Sequence, residues 1–186
     1  MKPLIHIYGA SGSGTSTLGR YLAQRLDFAF LDADDYFWLP TDPKFTKKRP
    51  IEQRVPLMQQ DIAKAENGAV VSGSLVGWGD ALIPKFTLAV RVVTDTPTRL
   101  ARIKQREYAR FGSRILPGGD MHEHHLSFLQ WAQPGTITAA LRRAARPGTI
   151  HGRKRCAVRF WSWTARRLWT KRQPAWRNCY DLQTDP

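Results

Sequence analysis

Gly9-Ala10-Ser11-Gly12-Ser13-Gly14-Thr15-Ser16-Thr17 gathers glycines and hydroxyl side chains into one short stretch near the start of the chain. Glycines let a backbone curl so that successive N–H groups point inward, an arrangement suited to phosphate oxygens. A helix opening directly afterwards adds the positive end of its dipole. The spacing Gly9-x4-Gly14 fits the Walker A pattern, in which Ser16 stands where a hydroxyl would ligand Mg²⁺. Thr15 occupies the place of the lysine that normally reaches the β- and γ-phosphates. That lysine stabilises charge developing on a transferred phosphoryl group. Without it another cation must do the work, or the loop binds with little turnover.

Two further groups of residues have chemistry to offer. Asp32-Ala33-Asp34-Asp35 follows the apolar run Phe28-Ala29-Phe30-Leu31. Acidic side chains at the carboxyl end of a strand can hold Mg²⁺ through water or accept an alcohol's proton. A helix N-cap accounts easily for one such aspartate and less well for three. Downstream, Arg99, Arg102, Arg106 and Arg110 recur in steps of three and four, and Arg114 follows Phe111-Gly112. On a helix these guanidiniums share a face. That face is either solvated or closes on phosphates as a lid, supplying the charge that Thr15 does not. His122, His124 and His125 lack the spacing of a His-Glu-x-x-His metal site.

The elements that would position these residues read as alternating strands and helices. Leu4-Ile5-His6-Ile7-Tyr8 is a strand leading into the loop, and Thr17 to Leu26 has a helical pattern. Phe28 to Leu31 reads as a second buried strand. Tyr36-Phe37-Trp38-Leu39-Pro40-Thr41-Asp42-Pro43, with Lys44, Lys47, Lys48 and Arg49 beyond, either covers a flat or anionic substrate or plugs a satellite core. Ile51 to Asn67 is helical, with Val55, Met58, Ile62 and Ala65 on one face, and Gly68 ends it. Ala69 to Ser72 is a short buried strand. The glycine- and serine-rich turn from Gly73 to Asp80 after it suggests close backbone approach to a ligand, with Asp80 as the N-cap of a short helix. Thr87 to Val93 is the next strand, and Thr96-Pro97 starts the arginine helix. Asp120-x-x-Glu123 resembles a capping box for a helix through Trp131.

With 186 residues the chain is long enough for one α/β domain with a proper core. It has no run of about 18 apolar residues, and its first residues are already strand and loop rather than a signal peptide. Cys156 and Cys179 have neither metal-ligand spacing nor a disulfide framework, so a reducing cytoplasm is the expected location. The net charge of +14 is unevenly placed. Residues 1–133 carry 17 Lys+Arg against 13 Asp+Glu, whereas residues 134–186 carry 12 against 2. The second stretch also holds four of the seven tryptophans, so the basicity belongs to a tail and not to the domain.

The order of motifs resembles the small P-loop kinases, the superfamily of nucleoside-monophosphate, shikimate and gluconate kinases. Gly9 to Ser16, Phe30-x-Asp32-x-Asp34, the turn at Gly73 and the helix from Arg99 to Arg110 carry the likeness. More narrowly, Leu31 to Pro43 and Ile115 to His122 resemble bacterial adenylate-kinase-like "AAA family ATPase" proteins, whose loop also lacks the lysine. The resemblance covers residues 3 to about 132. It implies a three-layer P-loop NTPase fold with a parallel sheet, kinase-like, whose last strand the sequence does not cleanly provide. It further implies a kinase binding ATP and Mg²⁺ and transferring the γ-phosphoryl group to a small acceptor. Residues 9–17 would cradle the nucleotide, Ser16 and Asp32 would set the metal, and Asp34 would face the acceptor. Arg106, Arg110 and Arg114 would be the catalytic arginines of a lid at about 106–121. Thr15 leaves open the alternative of a nucleotide-binding regulatory protein with little or no catalysis.

The expected division is therefore a kinase-like domain over 1–133 and a basic, tryptophan-rich tail over 134–186. Within the tail only Cys156-Ala157-Val158-Arg159-Phe160 offers a fifth strand, and charge interrupts it. Codons chosen for 134–186 and read in another frame permit an apolar strand, a turn and an amphipathic acidic helix, resembling the end of that bacterial group. A frameshift near Gln133 is one origin for the tail. The rival is a genuine module in which arginines interleaved with Trp161, Trp163, Trp169 and Trp176 bind single-stranded nucleic acid or an anionic membrane.

Overall fold

A computed structural model describes residues 2–133 and the backbone of residues 159–164. The strands are β1 (Leu4–Gly9), β2 (Ala29–Asp32), β3 (Ala69–Ser72), β4 (Leu88–Val93) and β5 (Arg159–Thr164). They form one sheet in the order β2-β3-β1-β4-β5, and every pairing is parallel. The helices are α1 (Thr15–Leu26), α2 (Ala33–Phe37), α3 (Ile51–Lys64), α4 (Thr96–Phe111) and α5 (His122–Trp131). Short 3-10 turns cover Asp80–Lys85 and Gly112–Ile115. This is the three-layer α/β architecture expected from the motif order.

Alternation along the strands divides the core between two faces of the sheet. Ile5, Ile7, Val70, Val90 and Val92 pack with Ala23, Leu18 and Leu22 of α1. Leu4, Ala69 and Val71 face the other way, against Tyr36 of α2, Met58 of α3, and Trp78, Leu82 and Phe86. Ile7, Met58, Val70, Val71 and Leu82 are fully buried, so both layers are close-packed at the sheet. The neutral His6 ring is stacked on Phe86, with Nε2 3.0 Å from the Gly73 carbonyl oxygen. Burial holds its pKa down at about 4.

Several boundaries differ from the sequence expectation. α1 begins at Thr15 rather than Thr17, because glycine in the left-handed conformation at position 14 already turns the chain into the helix. β2 runs to Asp32, and it is half-buried because, among the described strands, it lies at the sheet edge beside β3. α3 stops at Lys64, and Ala65 caps it, three residues before Gly68. Asp80 is the first residue of its 3-10 turn, not the N-cap, which is Gly79. No capping box forms at α5. Its N-cap is Met121, and the Asp120 carboxylate instead accepts from Arg114 at 2.6 and 2.9 Å. The fifth strand comes from the basic tail but spans 159–164, beyond the expected 156–160, with Leu88 opposite Arg159. Cys156, Cys179, Trp169 and Trp176 lie outside the described residues.

Candidate active site

Parallel strands deliver their carboxyl ends to one edge of the sheet, and the chemistry-bearing residues collect there. β1 ends at Gly9 and opens into the glycine-rich loop. β2 ends at Asp32, and β3 ends at Ser72, which is in register with both Ile7 and Asp32. Ser72 is fully buried, and its hydroxyl has no hydrogen-bond partner among the described residues.

The loop is held from behind by the segment that follows β4. Gly12 and Gly14 have φ of 80° and 99°, conformations in which a side chain would be strained. A Cβ on Gly12 would also lie 2.6 Å from the Arg99 carbonyl oxygen, so the loop and the start of α4 touch backbone to backbone. Three consecutive loop carbonyls accept from this segment. Arg99 Nη1 donates to Ser11 at 3.0 Å, Arg102 Nη1 to Gly12 at 3.5 Å, and Thr94 Oγ1 to Ser13 at 3.1 Å. With its carbonyls turned outward to these donors, the loop is free to turn N–H groups inward. No side chain caps α1, and its first turn carries no acidic residue, leaving the dipole end clear for an anion.

At the mouth of the loop Ser16 Oγ donates to Asp32 Oδ2 at 2.9 Å. Asp32 Oδ1 accepts from the Asp34 backbone N–H at 3.2 Å, so the same carboxylate is the N-cap of α2. The same aspartate thus caps a helix and accepts from the loop hydroxyl. Arg20, one helical turn beyond Ser16, approaches Asp32 at 3.9 Å. The hydroxyl and carboxylate are hard oxygen donors of the kind Mg²⁺ takes while keeping several waters. Among the described residues no three His, Cys, Asp or Glu side chains converge as a metal cage.

Asp34 is reachable by solvent but surrounded by protein mass. That desolvation, reinforced by Asp32, pushes its pKa up to about 6 against the opposing pull of Arg106 and Arg110. Arg106 and Arg110 also flank Glu107, at 3.6 and 3.5 Å. Glu107 is buried, and sequence reading passed over it; a lone carboxylate inside an arginine stripe is the signal that would have found it. Arg99 is buried as well and holds the Ala132 carbonyl at 3.3 Å, so it belongs to neither a solvated face nor a lid. Arg114 is committed to Asp120 and Asp42. Through Asp42 it ties down the 38–48 segment, and the Arg110 guanidinium lies 4.6 Å from the centre of the Phe45 ring of that segment.

That aromatic segment splits its roles. Tyr36 is buried and donates to Asp61 at 2.9 Å, whereas Trp38 pairs with Lys48 in an antiparallel bridge. Arg54, buried over Phe37 at 4.1 Å, donates to the Arg49 carbonyl and anchors the far end of the segment. The Gly73–Asp80 turn packs on the protein itself: Leu75 and Trp78 are core residues, and a Cβ on Gly73 would lie 3.0 Å from that of Ala33.

The AAA domain family model matches residues 5–116, a span that holds the loop, the aspartates and the arginine helix. The chain belongs to the AAA domain family. The resemblance to P-loop, kinase-like proteins is thereby borne out. "Uncharacterized protein YqaC" of Bacillus subtilis is 46% identical over 132 residues, covering 71% of this chain and 72% of that protein. A cytidylate kinase of Archaeoglobus fulgidus is 29% identical over 113 residues, covering 55% of this chain and 61% of its own length. The crystal structure of a gluconokinase from Sinorhizobium meliloti covers 87% of this chain and 82% of its own at TM-score 0.47 and 18% identity, and nothing about the site rests on it. Among the described residues no helix is long and apolar enough to cross a membrane.

Proposed function

We propose that this AAA domain protein is a phosphotransferase that binds Mg·ATP and passes the γ-phosphoryl group to a small hydroxyl- or phosphate-bearing acceptor. The observation that carries this reading is the contact of Ser16 Oγ with Asp32 Oδ2 at the mouth of a glycine-rich loop whose carbonyls are tied outward. Loop residues 9–17 would hold the nucleotide phosphates through backbone N–H groups. Ser16 and Asp32 would hold the metal, which when bound neutralises phosphate charge. Toward a hydroxyl acceptor, Asp34 would take the proton as the bond from phosphorus to the leaving oxygen breaks and the bond to the acceptor oxygen forms; toward a phosphate acceptor, whose attacking oxygen carries no proton, Asp34 would orient the acceptor. A carboxylate titrating at about 6 is ionised at neutral pH yet basic enough to take that proton. Arg106 and Arg110 would stabilise the charge on the transferring group, and Arg114 would hold the 38–48 segment over the acceptor.

The family match and the cytidylate kinase relatives support nucleotide chemistry and make cytidine monophosphate the first acceptor to test. The experiment is a coupled assay of ADP release over a panel of nucleoside monophosphates and small hydroxy acids. Acceptor-dependent turnover is expected, and it should disappear in Asp34→Asn. Tight ATP binding with no turnover over the panel would favour a second reading, a nucleotide-binding regulator, which the threonine at position 15 favours. The domain division at about residue 133, a shifted frame for the tail, and nucleic-acid or membrane binding by it all stand as proposals. Sequencing the gene across Gln133 tests the frame.

A further inference from the structure

The buried stripe of α4 is made by Arg99, Ile103 and Glu107, each four residues from the next. Arg99 supports the glycine-rich loop from behind, and Ile103 is an ordinary core residue. Glu107 fits neither description. A carboxylate taken out of water costs free energy that ion pairs return only when their geometry is close. Its pairs are long: Glu107 Oε1 lies 3.6 Å from Arg106 Nε and 3.5 Å from Arg110 Nη1. Charge-assisted bonds strong enough to offset burial run at about 2.7–2.9 Å. The buried His125 of α5 also faces this carboxylate, but desolvation favours its neutral form, and its Nδ1 has no hydrogen-bond partner among the described residues. An apolar side chain at position 107 would continue the stripe at lower cost, so stability does not explain the glutamate.

Its effect is on the two side chains that reach the site. Arg106 and Arg110 stand one helical turn apart on the same face, and a single carboxylate oxygen of Glu107 faces both guanidiniums. Their side chains remain 45% and 33% exposed, so donors are left over for a ligand. On the site side, Asp34 feels both arginines, and Asp32 acts on Arg110. With Glu107 uncharged, these two carboxylates would draw the guanidiniums in unopposed. The arginines would then close on the acceptor-side and metal-side acids instead of on a phosphoryl group. Glu107 pulls from the buried side against that draw, while the Phe45 ring holds the Arg110 guanidinium at 4.6 Å.

We propose that Glu107 is a positioning residue: its buried carboxylate holds the Arg106 and Arg110 guanidiniums as a pair, clear of Asp34 and Asp32, ready for the transferring phosphoryl group. This rests on the phosphotransferase reading above and adds to it a residue that acts only through the arginines. A fixed pair is preorganised for charge that develops in the transition state, whereas two free arginines lose part of that interaction to the entropy of ordering them.

The test compares the full-length wild type with Glu107→Gln, Glu107→Met and Glu107→Asp, by thermal melting and by acceptor-dependent ADP release. Glu107→Met is expected to melt within about 4 °C of the wild type or above it, because the arginines it releases are open to water and can hydrate. Glu107→Gln and Glu107→Met are both expected to lose about tenfold to a hundredfold in kcat, with the KM for ATP within about twofold. Glu107→Asp keeps the charge and should recover most of the loss; a loss as deep as that of Glu107→Gln contradicts the proposal. A purely structural carboxylate would give another pattern. A melting temperature lowered further than that in Glu107→Met, or its failure to fold, overturns the proposal, since a stabilising carboxylate is what it excludes. So does a kcat within twofold of wild type in either neutral variant. A folded wild type that turns over no acceptor overturns the phosphotransferase reading and this inference with it, whereas an active wild type beside equally active variants overturns this inference alone.

Discussion

Ser16 and Asp32 sit on different elements, the first turn of α1 and the end of β2, and the serine hydroxyl donates to the aspartate across 2.9 Å. The contact exists because α1 starts at the carboxyl end of β1 while β2 ends at the same edge of the sheet, with only β3 between the two strands. Two oxygen donors are thereby brought together beside a loop that offers N–H groups. The chemistry proposed for this protein follows from that one juxtaposition.

Asp34 should govern the pH dependence. Its pKa is raised from 3.8 to about 6, chiefly by desolvation and next by Asp32. Turnover should therefore fall along a one-proton curve as pH drops through about 6, and Asp34→Asn should cost about 10²–10⁴-fold in kcat. Stability runs the other way. Between the two pKa values the folded chain binds more protons than the unfolded one, so this group lowers stability as pH rises through that window. Asp34→Asn should accordingly stabilise the protein at pH 7 relative to pH 4, as read by urea denaturation. An equal effect at both values would contradict the raised pKa.

Arg99 carries structural weight. Arg99→Met would leave the Ser11 and Ala132 carbonyls without their donor and the loop without its rear support. A loss of about 2–4 kcal/mol in urea denaturation is expected. ATP binding should weaken as well, because the loop would no longer be held open for phosphate. A change within about 0.5 kcal/mol, the range of ordinary surface substitutions, would place Arg99 among those instead.

Phe45 is the test of the covering segment. Its ring lies under the Arg110 guanidinium and edge-on to Trp38 at 6.1 Å. Phe45→Ala should raise the acceptor KM several-fold while leaving kcat within about twofold, the pattern of binding lost equally from ground and transition states. A matching fall in kcat with unchanged KM would give the ring a role in the chemical step.

The parts of this site that were legible in the sequence are those written in local pattern. Gly9 to Ser16 announced the loop through spacing, and Ala69 to Ser72 announced a strand through four residues later found fully inside. Asp32 was legible because an acidic run ended an apolar one. Interactions spanning distant parts of the chain were not. Arg99 has the same side chain and spacing as Arg102, yet one is buried against Ser11 and Ala132 and the other lies open over Gly12. Only the packing of α4 on the loop distinguishes them. Glu107 likewise reads as one charge in a polar helix, yet the fold buries it between Arg106 and Arg110. The strand at Arg159–Thr164 was legible only in part: the sequence offered 156–160, with Arg159 interrupting it, whereas the strand begins at that arginine and runs on through Trp161 and Trp163.

The most direct test of the account is ATP binding measured calorimetrically with and without Mg²⁺, in the wild type and in Asp32→Asn. Asparagine caps a helix as well as aspartate does, so the variant keeps α2 while losing the metal-side charge. Micromolar binding by the wild type is predicted, weakened about tenfold or more by removing Mg²⁺ or by the substitution. A folded wild type that does not bind ATP, or one whose affinity ignores both Mg²⁺ and Asp32, would contradict it.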